Sequence, residues 1–198
     1  MITLFHSPRS RSSRFIFLLE EVGAPYEIHY VGIRRGDGSG ARDAANPHPH
    51  GKVPLILDDG QMVFESAAIA LYLTDKFPQN GVGPAIGDVT RGAYLTWLAY
   101  YAGVMEPAWM MKFAQVDLPG GAPGWPPAEE AMAHVTRTLE AGPYLLGDRF
   151  SAADILFGTT FALFMGGPMM PETPLLRAYV DRITGRPAYA RAAAKDEG

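Results

Sequence analysis

Gly51-Lys52-Val53-Pro54-Leu55-Ile56-Leu57-Asp58-Asp59-Gly60-Gln61-Met62-Val63-Phe64-Glu65-Ser66 is the stretch that decides the fold. Val53 to Leu57 is a short apolar run and reads as a strand. Asp58-Asp59-Gly60 carries the residue types that accept positive φ, so it reads as a hairpin turn. Gln61 to Phe64 is then the returning strand. Past Phe64 the hydrophobic period changes. Ile69, Tyr72, Leu73 and Phe77 share one face of a helix running from about Glu65 to Phe77. The stretch is a ββα unit.

Upstream lies a second unit. Ile2 to His6 reads as a strand, broken by Ser7-Pro8. A helix over Ser10 to Val22 places Phe15, Leu18, Leu19 and Val22 on one face, and Gly23 and Pro25 end it. Tyr26 to Val31 is a further strand, so the order is βαβ and favours a parallel crossover. Arg34 to Asn46 is polar and glycine-rich and reads as a loop with one helical turn. Pro47-His48-Pro49-His50 stays irregular.

Downstream, Pro78 to Asp88 alternates glycine and proline and reads as a linker. Everything after it has helical periodicity. Helices are expected over Thr90 to Ala114 (kinked at Pro107), Pro127 to Ala141, Ala152 to Met165 and Pro174 to Gly185, with a loop at Pro119 to Pro126. The expected organisation is an α/β N-terminal domain over 1–78, a linker over 79–88, and an all-α C-terminal domain over 89–198.

Composition narrows the chemistry. The chain has 198 residues and a formal net charge of −4, with both signs spread along it. That gives no basis for a polyanion partner, so no nucleic acid is expected. Cysteine is absent, which removes disulfides, thiolate metal sites and a protein thiol nucleophile. Any sulfur chemistry must use a thiol that a ligand brings. No secretory leader is evident. The longest uncharged stretch, Ile155 to Pro171, is short for a bilayer span and interrupted by glycine and proline. A cytoplasmic location without membrane association is expected.

A βαβ–loop–ββα domain followed by helices resembles the cytosolic glutathione S-transferase family, with its thioredoxin-like N-terminal domain. Three motifs in order carry the resemblance: Gly51-Lys52-Val53-Pro54, then Glu65-Ser66 opening a helix, then Leu146-Gly147-Asp148-Arg149-Phe150-Ser151-Ala152-Ala153-Asp154. In the family these are a cis-proline, a pair that binds the γ-glutamyl group, and the capping box of a core helix. The resemblance implies glutathione as co-substrate, held by Lys52, Val53, Pro54, Glu65 and Ser66, with His50 beside them. Physically, a turn at Pro54 frees the Val53 backbone to pair with a peptide-like ligand as an added strand. Ser66 and exposed N–H groups at a helix N-terminus hold a carboxylate, and Glu65 holds an ammonium. Ordinary capping by Ser66 is the plainer alternative.

The family acts on the glutathione sulfur with a Ser, Tyr or Cys after the first strand. Here that segment is Ser7-Pro8-Arg9-Ser10-Arg11-Ser12-Ser13-Arg14. It resembles the serine-type bacterial members, in which the serine lies four residues before a helical arginine. That selects Ser10 as the catalytic hydroxyl, with Ser12 as second choice; the alternative is that Ser10 only caps the helix. On the long helix after the linker, Tyr101, Met105 and Trp109 are expected both to fill the core and to line a pocket for an apolar electrophile. Trp97, Tyr100, Met110 and Met111 add to that helix's apolar character and favour a homodimer. His48-x-His50 lacks a third ligand nearby, so no metal is expected. The implied activity is conjugation of glutathione to apolar electrophiles in detoxification, or reduction of organic hydroperoxides. A non-catalytic glutathione-binding scaffold on the same fold is the alternative.

Overall fold

In the computed structural model, which describes residues 1–116, 118, 123–167 and 170–197, the first strand β1 (Ile2–His6) is the centre of a four-stranded sheet. It pairs in parallel with β2 (Tyr26–Tyr30) and antiparallel with β3 (Leu55–Asp58), which pairs antiparallel with β4 (Gln61–Phe64); the order is β2-β1-β3-β4. The crossover helix α1 (Ser13–Glu21) and the helix α2 (Ser66–Lys76) complete the βαβ–ββα pattern. Their apolar faces meet the sheet. Ile2, Leu4, Phe15, Leu18, Leu19, Leu55, Ile56, Ile69 and Leu73 are all buried, each contributing roughly 1.5–3 kcal/mol of transfer free energy.

The chain divides into two compact units, Met1–Gly81 with Arg186–Gly198, and Val82–Gly185. The last helix, α8 (Pro187–Asp196), therefore belongs to the sheet-bearing unit and not to the helical domain expected over 89–198. Charges drive this return. Arg186 grips Glu21 with two of its guanidinium nitrogens, Nε at 2.6 Å and Nη2 at 2.9 Å, while Arg191 and Lys195 each reach Glu20 at 2.6 Å. Burial works against ionised Glu20, but Lys195, Arg191 and Tyr26 together hold its pKa down to about 2. Tyr189 meets Phe17 edge-on at 5.4 Å beneath these pairs.

The helical unit holds α3 (Arg91–Tyr100), a π-helical turn over Tyr101–Met105, α4 (Glu106–Ala114), α5 (Ala128–Ala141), α6 (Ala152–Phe164) and α7 (Pro174–Thr184). The kink expected at Pro107 is a widened turn just before it. Proline lacks an N–H to continue the ladder, and one extra residue per turn absorbs the fault. Helices α6 and α7 pack closely at Gly158. A Cβ there would lie 2.7–3.0 Å from Ile183. Asp154, in the expected capping box, accepts the N–H and hydroxyl of Ser151, the N–H of Leu145 and the hydroxyl of Tyr179. Of the loop expected at Pro119 to Pro126, residues 119–122 lie outside those described.

Candidate functional site

Strand register assembles one end of the sheet. Phe5 is level with Leu55, and Leu55 with Phe64. The residues just beyond these positions are therefore neighbours: His6 and Ser7 leaving β1, Pro54 entering β3, and Glu65 leaving β4. Parallel β2 ends at the same edge, with Tyr30 level with His6, and Val31 donates its N–H to the His6 carbonyl at 2.8 Å. Four segments far apart in sequence thus converge.

The serine turn is more tightly bonded than its sequence suggests. Helix α1 starts at Ser13, not Ser10, and no side chain caps it. The Ser10 hydroxyl donates to the Ser7 carbonyl at 2.6 Å and lies 2.8 Å from the Ser12 hydroxyl. Ser10 therefore stabilises the turn before the helix and is not the helix cap. Ser12 is wholly buried; its oxygen accepts the Ser7 N–H at 3.1 Å and lies 2.7 Å from His6 Nδ1. Of the two serines named from sequence, only Ser10 has exposed surface. Arg35 secures the turn from the following loop, donating to Ser7 Oγ at 3.3 Å and to the Pro8 carbonyl at 3.0 Å.

The Val53–Pro54 bond is cis. Among the described residues the Val53 N–H and C=O have no hydrogen-bond partner. Glu65 stands at φ 72°, ψ 126°, far from the conformations a non-glycine residue favours. Such an outlier persists only where its surroundings over-determine it, and it is a common mark of a ligand site. Glu65 immediately precedes α2, whose first turn has no side-chain cap. The plainer alternative of capping by Ser66 is not what this helix does. Its leading N–H groups are open beside the Ser66 hydroxyl, with the exposed Glu65 carboxylate next to them.

Beside these groups a cavity of about 390 Å³ is lined by Arg34, Gly40, Ala41, Arg42, His50, Gly51 and Lys52. Arginine 42 lies against Gly51, where φ is +60° and any Cβ would collide with the Arg42 side chain. Lys52 is exposed, and its carbonyl is held by Asn46 Nδ2 at 3.0 Å. His48 is buried against Phe64; burial, then the neighbouring His50, lowers its pKa. Its Nδ1 accepts the His50 N–H at 3.0 Å, so that nitrogen is already engaged. No group of three or more His, Cys, Asp or Glu suited to a metal occurs among the described residues.

In the helical unit Tyr101, Met105 and Trp109 are all buried. Tyr101 donates to Glu106 at 2.9 Å and lies 2.8 Å from the Thr160 hydroxyl, which makes it a core residue of the π-turn. Trp109 differs: its Nε1 is buried with no hydrogen-bond partner. Sequence reasoning missed His6, Arg35 and Asp196. His6 reads as an ordinary strand residue, and nothing local announces a partner 190 positions away.

Comparison with known proteins agrees with this geometry. The family model for the N-terminal domain of glutathione S-transferase matches residues 4–81. Glutathione S-transferase F10 of Arabidopsis thaliana is 26% identical over 213 residues, covering 98% of this chain and 97% of its own. GstA of Escherichia coli O157:H7 is 26% identical over 191 residues, covering 93% of each. Among solved structures, a glutathione transferase from Methylococcus capsulatus has a TM-score of 0.79 at 27% identity, covering 99% of this chain and 98% of its own. A sphingomonad glutathione S-transferase in complex with glutathione has a TM-score of 0.75 at 29% identity, with 98% coverage of both. These findings lead to one conclusion: residues 4–81 match the N-terminal domain of glutathione S-transferase, and the chain along its whole length is similar in sequence and fold to glutathione S-transferases.

Proposed function

We propose that the sheet-bearing unit binds glutathione and ionises its thiol, and that the protein adds the thiolate to apolar electrophiles or uses it to reduce organic hydroperoxides. The observation that carries this reading is Glu65, held at φ 72° where the register puts it next to the cis Val53–Pro54 step, at the same end of the sheet as the serine turn. The γ-glutamyl carboxylate takes the α2 N-terminus and Ser66; its ammonium takes Glu65. The cysteinyl backbone pairs with Val53 beside Pro54. The glycyl carboxylate takes the basic cavity at Lys52 and His50.

Ser10 is the sulfur partner, as in the serine-type bacterial members. A free thiol has a pKa near 8.5, so about a few per cent is ionised at neutral pH. Lowering it by about two units needs roughly 2.7 kcal/mol of preference for the thiolate, within reach of one charge-assisted bond and the helix start. Glutathione supplies the nucleophile, and the protein supplies orientation and electrostatics. On the electrophile side, the proposed lining is Tyr101, Met105 and Trp109, all three buried in the helical unit. Exposed Leu95, Met110 and Phe113 support a homodimer. A cytoplasmic setting fits the family, and among the described residues no helix is long and apolar enough to cross a membrane.

A second reading, a non-catalytic glutathione binder, draws on the inward bond of Ser10 to the Ser7 carbonyl. Turnover decides between them. The wild type is expected to conjugate a chlorinated aromatic or to reduce cumene hydroperoxide with glutathione. Binding of glutathione without either turnover would favour the scaffold.

A further inference from the structure

Four side chains form a continuous line beneath the serine turn, all within the sheet-bearing unit. Ser10 Oγ lies 2.8 Å from Ser12 Oγ, Ser12 Oγ lies 2.7 Å from His6 Nδ1, and His6 Nε2 lies 3.1 Å from the Asp196 carbonyl and 3.3 Å from Asp196 Oδ1. His6 and Ser12 are wholly buried. Asp196 Oδ1 is buried without a hydrogen-bond partner, while Oδ2 accepts the Arg9 N–H at 3.1 Å. A buried carboxylate oxygen facing an imidazole edge, with nothing donating to it, is costly unless a charge arrives opposite it.

We propose that His6 is a positioning residue and the internal proton acceptor for the thiol held at Ser10, acting through Ser12 with Asp196 as its counter-ion. The proposal rests on the reading of Ser10 as sulfur partner. Neutral His6 donates from Nε2 to the Asp196 carbonyl, which leaves Nδ1 to accept the Ser12 hydroxyl. When a thiol meets Ser10, its S–H bond breaks and that proton joins Ser10 Oγ. The Ser10 hydroxyl turns from the Ser7 carbonyl to Ser12 Oγ, 2.8 Å away, and passes its proton there, while that of Ser12 passes to His6 Nδ1. Atoms and electrons balance: the thiol becomes thiolate, the imidazole becomes imidazolium, and each serine keeps one proton. Afterwards every donor in the line points towards the sulfur. The imidazolium donates to Ser12, Ser12 to Ser10, and Ser10 to the thiolate, while Asp196 Oδ1 gains a charged partner.

The surroundings suit a group that is neutral until needed. Burial holds the His6 pKa below its ordinary value, and Asp196 opposes that shift. The side chains facing the ring are Tyr30 on β2, edge-on at 5.5 Å, Ser12 before α1, and Asp196 on α8. Tyr30 is itself tied to α8 through the Lys195 carbonyl at 2.8 Å. Two arginines hold the turn: Arg9 by its backbone N–H on Asp196, and Arg35 by its guanidinium on Ser7 and Pro8.

The test uses full-length wild type, His6→Asn, Asp196→Asn and Ser10→Ala, each titrated with glutathione. Ultraviolet thiolate absorbance counts the thiolate formed. Calorimetry in buffers of different ionisation enthalpy counts the protons released. Internal transfer predicts close to zero protons released per thiolate in the wild type and about one in His6→Asn. It also predicts a bound-thiol pKa raised by about one unit in His6→Asn, and by less in Asp196→Asn. A merely structural histidine would not change the proton count. One proton released per thiolate by the wild type, or wild-type titrations for both His6→Asn and Asp196→Asn, overturns the proposal. Loss of thiolate in Ser10→Ala alongside an unaltered His6→Asn removes the relay and leaves Ser10 in place. No thiolate in the wild type removes both. Should His6→Asn fail to fold, Asp196→Asn decides alone by whether its bound-thiol pKa rises.

Discussion

Replacing Asp154 with alanine should be among the most damaging single changes in the helical unit. Its carboxylate is buried at the start of α6 and accepts four hydrogen bonds, from Leu145 N–H at 2.9 Å, Ser151 N–H at 2.8 Å, Ser151 Oγ at 3.0 Å and Tyr179 OH at 3.0 Å. In Asp154→Ala the Ser151 hydroxyl can turn elsewhere, but the two N–H groups and the buried Tyr179 hydroxyl cannot. Each stranded donor costs about 1 kcal/mol or more, so the total is about 3–5 kcal/mol. For a chain of this size that lowers Tm by roughly 6–20 °C. The loss should also depend on pH. Burial pushes Asp154 from 3.8 up to about 6, against the pull of its four donors. An acid whose folded pKa is raised binds its proton more tightly when folded. Its contribution is fully present below about pH 3.8 and is lost as pH rises through about 6. About two units correspond to roughly 3 kcal/mol. The stability gap between wild type and Asp154→Ala should therefore widen on going from pH 7 to pH 4. Urea titrations at several pH values measure it. A gap under 1 kcal/mol at pH 7 would refute the hydrogen-bond reasoning. A gap that narrows on acidification would mean that the four donors outweigh burial.

The remaining predictions concern the ligand and the assembly. Glu65→Ala or Ser66→Ala should weaken glutathione binding by about 1.5–3 kcal/mol, the scale for losing a bond to a charged group. Unchanged calorimetric affinity in both, with the fold intact, would remove this pair from the site. Ser10→Ala should raise the pKa of bound glutathione by about one to two units, or roughly 1.4–2.7 kcal/mol, and lower turnover while leaving affinity nearly intact. If only Ser12→Ala shifts that titration, the sulfur is served by the buried serine instead. Sedimentation at micromolar concentration should give a dimer mass, and a monomer mass would contradict the homodimer.

How much of this was legible in the sequence depends on how local each determinant is. The cis Val53–Pro54 step follows only from the family resemblance, since a lone X–Pro bond is far more often trans, whereas the hairpin at Asp58-Asp59-Gly60 is readable because turn chemistry is written in adjacent residues. Ile69 and Leu73 marked the buried face of α2 for the same reason. The start of α1 was misplaced at Ser10. A serine before an apolar period looks like a cap, whereas this hydroxyl is taken by the Ser7 carbonyl inside a tighter turn. The π-turn was missed because a proline kink can be absorbed before or after the proline. Helix α8 was missed for a different reason. Pro187-Ala188-Tyr189-Ala190-Arg191-Ala192 has almost no large apolar residues, and what docks it is Glu20 and Glu21, about a whole chain away. His6 and Asp196 escape by the same argument. Neither is informative until tertiary structure brings residues 190 positions apart to 3.1 Å.

The most direct test of the account is a crystal structure of the protein with glutathione bound. The γ-glutamyl carboxylate is expected on the first turn of α2 with Ser66, and the γ-glutamyl ammonium beside Glu65. The cysteinyl backbone is expected against Val53, and the sulfur within hydrogen-bond reach of Ser10 Oγ. Glutathione bound away from this end of the sheet, or seated there with its sulfur held by an arginine or by backbone N–H groups and remote from Ser10, would contradict it.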